Sequence, residues 1–519
     1  MRKIRILWAD DEIELLKPHI MLLEQKDYEV DTAQSGDEAI DLAEETLYDV
    51  VFLDENMPGL TGLETLAELK RKRPNLPIVM ITKSEEEYLM DDAIGGQITD
   101  YLIKPVNPKQ ILLSLKKIID SSRLISEKVT NNYRQGFMEL SSRVNDNLDA
   151  TEWKELYKDL VYWELELDKS EEESMQEILI SQKQEANQNF AKFVDKNYEN
   201  WVQDPDYGPI MSSNAFTKKV APHLRRNERP TVLCLLDNLR FDQWKFLQGM
   251  LTKNFDMQNE DMYYAILPTA TQYARNAFFA GLMPADIQKR FGKMWLNDDE
   301  EGGKNMHEEE FLADLIKRLR LDSKFSYNKI VKLEHGRNLV DNAKNLIQKN
   351  DLTVVVYNFI DILSHARTDM EVIKELAEDE AAYRSLTKSW FEHSPLREFL
   401  EEVANHDVNL LVTTDHGSIR VKKPVQIVGD RNTTTNLRYK QGKSLNYNYK
   451  EVIEFRDPTR VKLPKSNISS AYVMSKPEDY FVYPNNRNYY VDFYKDTFQH
   501  GGVSMEEMLV PFIEMKSKR

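Results

Sequence analysis

A chain of 519 residues is longer than one hydrophobic core normally fills, so two or three domains are expected. Hydrophobic residues at 41% and charged residues at 30% exclude whole-chain disorder, and only 18 Gly and 19 Pro exclude collagen-like or low-complexity architectures. Sixty-nine basic against 87 acidic residues leave a net charge of −18, the wrong sign for holding a polyanion over the whole surface, so any nucleic-acid contact must be local.

Cys234, the single cysteine, cannot form an intrachain disulfide; it lies in the apolar run Val232-Leu233-Cys234-Leu235-Leu236 and is expected in a buried strand. The N-terminal apolar stretch stops at Asp10-Asp11-Glu12, too short for a signal-peptide core. No stretch approaches the roughly 18 apolar residues of a membrane span. A cytoplasmic protein in a reducing compartment is expected.

From the start to residue 122, short apolar runs alternate with amphipathic stretches: 4–8, 12–25, 29–33, 36–45, 50–53, 62–72, 78–82, 85–94, 98–103 and 108–119. Five alternations of strand and helix predict a doubly wound α/β domain with a parallel sheet. From 123 to 205 the strand signals vanish and a connector of three helices is expected, with Thr151 as a helix cap and Trp153, Leu156, Leu160 and Trp163 on one buried face. The acidic residues Glu171, Glu172 and Glu173 read as solvated surface. From 206 to 519 a larger α/β domain is expected, with strands at 231–236, 353–359 and 409–414. Each strand runs into acidic or polar residues, and ligands of open α/β sheets bind beyond the carboxyl ends of strands.

In the first domain, Asp10 and Asp11, Asp54, Thr82 and Lys104 follow successive strands and so meet at one edge. Carboxylates crowded there repel unless a hard cation such as Mg²⁺ joins them, and that cation also offsets a phosphoryl group arriving on Asp54. Asp10-Asp11-Glu12, Asp54-Glu55-Asn56-Met57-Pro58-Gly59 with Gly62, Thr82 and Lys104-Pro105 resemble the receiver domain of bacterial response regulators, a flavodoxin-like fold. The resemblance implies that Asp54 accepts phosphate from a sensor histidine kinase. It also implies that Asp10, Asp11 and Asp54 hold Mg²⁺ with a backbone carbonyl near Asn56, that Thr82 moves toward the phosphate, and that Tyr101 is the aromatic switch. Lys83, where a small residue is usual, is expected to modify phosphoryl lifetime.

The third domain offers Asp237, Asp361 with His365 four residues on, Asp415-His416 and His500. Three Asp and three His are the mixed oxygen and imidazole set of Zn²⁺ or Mn²⁺, and six ligands suggest two ions about 4 Å apart. Leu267-Pro268-Thr269-Ala270-Thr271-Gln272 supplies hydroxyls at a turn before a helix expected at 274–282, where Thr271 becomes a candidate nucleophile. These residues resemble the alkaline phosphatase superfamily in its PglZ-type branch. That resemblance implies one ion among Asp237, Thr271, Asp415 and His416, and another among Asp361, His365 and His500. The diesterase relatives place Asn three residues after the nucleophile; Ala274 stands there, leaving Arg275 and Asn276 as candidates for phosphate contact.

Between Asp415 and Lys465, twelve Lys/Arg stand against five Asp/Glu. Tyr439, Tyr447 and Tyr449 are interleaved, and Tyr263-Tyr264 precede the nucleophile turn, a composition suited to stacked bases and phosphates as well as to a solvated loop. The whole chain resembles the PorX-type response regulators of type IX secretion. This implies contact with an extracytoplasmic-function sigma factor and the secretion machinery. Two functions stay open: a phosphorylation-controlled, phosphorylation-dimerised metal phosphodiesterase acting on nucleotides or oligonucleotides, without a DNA-binding domain; or a protein-binding switch whose metal site is degenerate or sensory.

Overall fold

The computed structural model describes residues 3–73, 76–82, 98–169, 173–298, 300, 302–369, 377, 379–429, 433–465, 467, 469–485 and 487–518. It divides into two compact units, Met1–Asn131 and Asn132–Arg519. The helix expected at 85–94, Lys83, Glu171 and Glu172 lie outside the described residues.

In the first unit, β1 (Arg5–Ala9), β2 (Glu29–Ala33), β3 (Val50–Asp54), β4 (Ile78–Thr82) and β5 (Asp100–Ile103) form a parallel sheet in the order β2-β1-β3-β4-β5. The period-two alternation of a strand sends Leu7 and Ala9 into one apolar cluster and Ile6 and Trp8 into another, so both faces are covered. The run expected as one helix at 12–25 is a 3₁₀ turn, Ile13–Leu16, followed by α1 (Lys17–Glu24), with Pro18 in the first turn of α1, where its missing N–H costs nothing. Helix α2 (Gly36–Glu45) starts at the Ser35 cap. Helix α3 (Gly62–Lys72) starts at a Thr61/Glu64 capping box.

Helix α4 (Pro108–Asn145) carries the chain onward without a break at residue 122, as no proline interrupts it after Pro108. Helix α5 (Ala150–Leu167) is capped by Asp149, not Thr151: Asp149 accepts from the Thr151 and Glu152 amides, and Glu152 accepts from the Asp149 amide in return. A carboxylate at that position also meets the positive end of the helix dipole. Trp153, Leu156 and Leu160 are buried, while Trp163 is half-buried against Tyr133. Helix α6 (Glu173–Gln203) completes the connector.

In the second unit, the largest sheet is built on β6 (Thr231–Leu236), β7 (Phe255–Tyr264), β8 (Phe325–Ile330), β9 (Leu352–Tyr357) and β10 (Asn409–Thr413). Small sheets then use β11 (Ile419–Arg420), β12 (Lys423–Val428), β13 (Tyr439–Lys443), β14 (Asn446–Tyr447), β15 (Val452–Phe455), β16 (Ser470–Ser475), β17 (Asp479–Val482) and β18 (Phe498–Gln499). The last strand, β19 (Leu509–Ser517), returns to the large sheet, whose order is β7-β19-β10-β6-β9-β8; β19 runs antiparallel to β7 and β10, and the pairs from β10 to β8 are parallel. Strands β6 and β9 are buried at every residue, as continuous apolar runs in a two-faced sheet should be. Cys234 is buried in β6.

The connector helices are seated on this sheet. Lys154 of α5 and Lys219 pair with the two oxygens of Asp261 on β7 at 2.7 and 2.8 Å, and the Leu267 amide donates to the Tyr198 hydroxyl of α6 at 2.8 Å. Burial raises the Asp261 carboxyl, but the two ammonium groups outweigh it and hold it down at about 2. A depressed carboxyl contributes stability that is complete above its ordinary value and is lost as pH falls through the folded one. Asp261→Asn is therefore expected to cost about 2 kcal/mol at neutral pH, and the gap to wild type should close between about pH 4 and pH 2. Denaturant unfolding at stepped pH checks this, and a pH-independent gap would refute it.

Candidate functional site

In the first unit, Asp10 and Asp11 follow β1, Asp54 ends β3, Thr82 ends β4 and Lys104 follows β5, so topology alone gathers them at one sheet edge. The Lys104 ammonium lies 2.8 Å from Asp54 Oδ1 and 3.0 Å from Asp10 Oδ2. Oxygens of Asp10, Asp11 and Asp54 approach within 4.8 Å of one another. Burial pushes the Asp54 carboxyl up against the pull of Lys104, and Asp54 Oδ2 is buried without a hydrogen-bond donor among the described residues. A hard cation fits such a cluster. Asn56 is exposed just beyond Asp54, Thr82 is buried, and Tyr101 is exposed on β5.

In the second unit, the carboxyl ends of the adjacent strands β10, β6 and β9 deliver Asp415-His416, Asp237 and, through helix α10 described below, Asp361. Helix α7 (Phe241–Leu251) follows β6. Helix α8 (Thr271–Ala280) begins at Thr271 itself, earlier than the expected residue 274, because Ala270 is the N-cap. Ala270 offers no side-chain cap; its carbonyl accepts from the Tyr273 and Ala274 amides, which leaves the Thr271 and Gln272 amides to an anion. Helix α9 (Glu308–Arg318) follows, and helix α10 (Phe359–Asp369) carries Asp361 and His365 one turn apart.

The Thr271 hydroxyl donates to His416 Nε2 at 2.9 Å and lies 3.5 Å from Asp237 Oδ1. His416 Nε2 is 3.6 Å from Asp237 Oδ1 and 3.8 Å from Asp415 Oδ2. Asp361 stands 3.6 Å from His365 Nε2 and 3.5 Å from His500 Nε2. The six candidate ligands thus form two clusters, Asp237/Asp415/His416 and Asp361/His365/His500, joined where the His416 and His500 rings stack at 4.2 Å.

Two features suit these clusters to divalent ions. His416 Nδ1 donates to the Gly417 carbonyl and His500 Nδ1 to the Thr269 carbonyl, each at 3.2 Å, which leaves both Nε2 lone pairs facing the carboxylates. Burial lowers both histidines, keeping them neutral. The carboxylates, meanwhile, are crowded: burial and then Asp237 push Asp361 up to about 7 and raise Asp415, whose Oδ2 is buried without a hydrogen-bond donor among the described residues. Burial also raises Asp237, but Arg275 and His416 more than offset it, and the net shift is downward. Cations relieve such a cluster. Gly417 is required beside it, since a Cβ there would meet the Glu506 carbonyl at 2.1 Å.

Residues 215–515, more than half the chain, match the family described as the BREX system PglZ alkaline phosphatase-like domain. The chain belongs to the PglZ alkaline phosphatase-like family. Residues 123–202 match the PorX response regulator linker domain and residues 6–116 the response regulator receiver domain, so the order of parts is that of a PorX-type regulator. Among curated proteins, the chain is 35% identical over 115 residues to the transcriptional regulatory protein ResD of Bacillus subtilis, covering 22% of this chain and 48% of that protein. It is 36% identical over 129 residues to a CpxR homolog of Haemophilus influenzae, covering 24% and 55%. The chain spans about half the length of these relatives. A CheY-like receiver domain structure from Methanospirillum hungatei is 28% identical, covering 23% of this chain and 96% of that one, with a TM-score of 0.22.

Within the PglZ domain several residues sit differently from their sequence expectation. Asn276 uses both ends of its amide on the loop beside α8, donating to the Lys304 carbonyl and accepting from Asn305. Arg275 is turned toward Asp237 and Glu308. Tyr263 and Tyr264 are fully buried and donate to the Thr414 and Ala150 carbonyls, so neither offers a face to a base. Among the described residues of 415–465, Arg420, Lys422, Lys423, Arg438, Arg456, Arg460 and Lys465 each face a carboxylate, while Arg431 lies outside the described residues. Lys440 and Tyr439 are buried. Asn238 and Glu308 also belong to the site's surroundings: Asn238 donates to Asp361 and Ser364. Its adjacency to Asp237 was a usable signal, whereas Glu308 reads as an ordinary acidic first helical turn.

Proposed function

We propose that this two-component response regulator controls a metal-dependent phosphodiesterase in its PglZ domain, with oligonucleotides as the substrate class and Thr271 as nucleophile. The observation that carries this reading is Thr271 Oγ1, at the uncapped start of α8 and against Asp237 and His416, on the side where the two donor clusters meet. Asp237, Thr271, Asp415 and His416 would hold one Zn²⁺ or Mn²⁺ and Asp361, His365 and His500 the other; when bound, these ions supply charge neutralisation at phosphoryl oxygens and a lowered hydroxyl pKa.

The chain's own groups do the rest. The Thr271 and Gln272 amides at the start of α8 receive a non-bridging phosphoryl oxygen, and Thr271 Oγ1 attacks phosphorus as the bond to the leaving alcohol breaks. The threonine proton ends on that alcohol, and water then cleaves the phosphothreonine, restoring the hydroxyl. In the receiver unit, Asp54 takes phosphate from a sensor histidine kinase; Asp10, Asp11, Asp54 and the carbonyl near Asn56 would hold Mg²⁺. Phosphorylation promotes a homodimer, and the resemblance to PorX-type regulators supports a sigma factor and secretion components as partners. The protein-binding switch remains a second reading, supported by the ion pairs that already engage Arg420, Lys422, Arg438 and Arg460 of the 415–465 segment.

Elemental analysis of the purified chain should find two transition-metal ions per monomer. Chelation should lower turnover of bis-p-nitrophenyl phosphate by at least about 10²-fold, reversed by zinc. Undiminished turnover by the chelated protein would exclude the mechanism.

A further inference from the structure

Arg275 stands one helical turn after Thr271 on α8, so nucleophile and guanidinium share a face. It is 1% exposed, and no buried guanidinium is tolerated without compensation. Nη1 donates to Asp237 Oδ2 at 2.6 Å, while Nε donates to Glu308 Oε1 at 2.5 Å. Glu308 is itself held: its Oε2 accepts from the Tyr327 hydroxyl and the Lys329 ammonium of β8, each at 2.7 Å. The two oxygens of Asp237 are therefore divided in duty. Oδ2 is taken by Arg275, and Oδ1 faces Thr271 Oγ1 and His416 Nε2.

We propose that Arg275 is a positioning residue: anchored by Glu308, it clamps Asp237 so that Oδ1 alone is presented to the ion of the buried cluster, in place of the phosphate contact its sequence position suggests. The inference rests on the metal reading above. It deepens that reading by assigning the orientation of one ligand to a chain of residues, Tyr327 and Lys329 to Glu308 to Arg275, that touches no substrate. A guanidinium suits the task because its fixed fork reaches two carboxylates in set directions, which a lysine, a mobile point charge, does not.

Orientation and bare charge predict opposite outcomes. A positive charge beside a cation repels it, so if charge were all that Arg275 contributed, its removal would tighten metal binding. If orientation dominates, removal loosens it, as loss of an outer partner of a metal ligand commonly costs about 10–100-fold in affinity.

Zinc competition against a fluorescent chelator, on the full-length chain, separates the two for wild type, Arg275→Lys, Arg275→Met and Arg275→Met/Glu308→Gln. The double variant removes the buried ion pair together and keeps the charge balance, so it folds if Arg275→Met alone does not; circular dichroism checks each. The expected result is a loss of about 10–100-fold at one of the two ions in every folded variant, with a smaller change at the other ion, at Asp361/His365/His500. Arg275→Lys titrating like wild type, or the double variant binding zinc as tightly as wild type or more so, overturns the proposal while leaving the metal site standing. A wild-type chain that takes up no transition metal overturns both.

Discussion

Thr271→Ala is expected to lower turnover of bis-p-nitrophenyl phosphate and of short oligonucleotides by about 10³-fold or more, roughly 4 kcal/mol of transition-state stabilisation. Most of the zinc should stay, since Thr271 is one of four donors to its ion and the carboxylate and imidazole donors of both clusters are untouched. The fold should also survive. Thr271 is half-buried at the first turn of α8, and removing its hydroxyl gives up one hydrogen bond to His416, worth about 1 kcal/mol. Steady-state kinetics beside metal analysis on the same preparation reads both numbers. Equal turnover by the variant removes the covalent mechanism, whereas lost zinc with lost turnover would show that the hydroxyl matters chiefly as a ligand.

Asp54→Asn is expected to abolish phosphoryl uptake from acetyl phosphate and, with it, any phosphorylation-dependent rise in mass. The reason is positional. Asp54 ends the central strand β3, its Oδ1 is 2.8 Å from Lys104, and the neighbouring carboxylates Asp10 and Asp11 stand close enough to share a cation with it. An asparagine keeps the shape but removes the nucleophilic oxygen anion. Intact-mass measurement and light scattering, with and without beryllofluoride, follow the two steps separately. A variant that still takes up phosphate would place the acceptor elsewhere, and a wild type that gains phosphate without changing mass would dismiss the dimer while leaving Asp54 in its role.

Much of the architecture was readable from local pattern. Strands 29–33 and 78–82 and helices 36–45 and 62–72 have the bounds their pattern predicts, because short apolar runs, helical periodicity and capping residues are written in a few consecutive positions. The candidate ligands were readable for a similar reason: Asp237 and Asp415-His416 follow strands, and Asp361 and His365 are spaced at one helical turn. A helix continuing past residue 122 was not, since the change of composition there coincides with no proline or glycine that would stop α4.

What only the tertiary structure decided concerns charge. The sequence by itself determined that the 415–465 segment is rich in Lys and Arg, but Arg438 finds Glu507, Arg460 finds Glu199 and Lys422 finds Glu478, partners from other parts of the chain. In the same way, Arg275 four residues after a nucleophile looks like a phosphate ligand until Asp237 and Glu308 are seen to hold it. Periodicity reports which side of an element is buried, because burial repeats with the geometry of the backbone. It carries no record of which opposite charge waits across the fold, because an ion pair is specified by three-dimensional proximity and desolvation, not by sequence spacing.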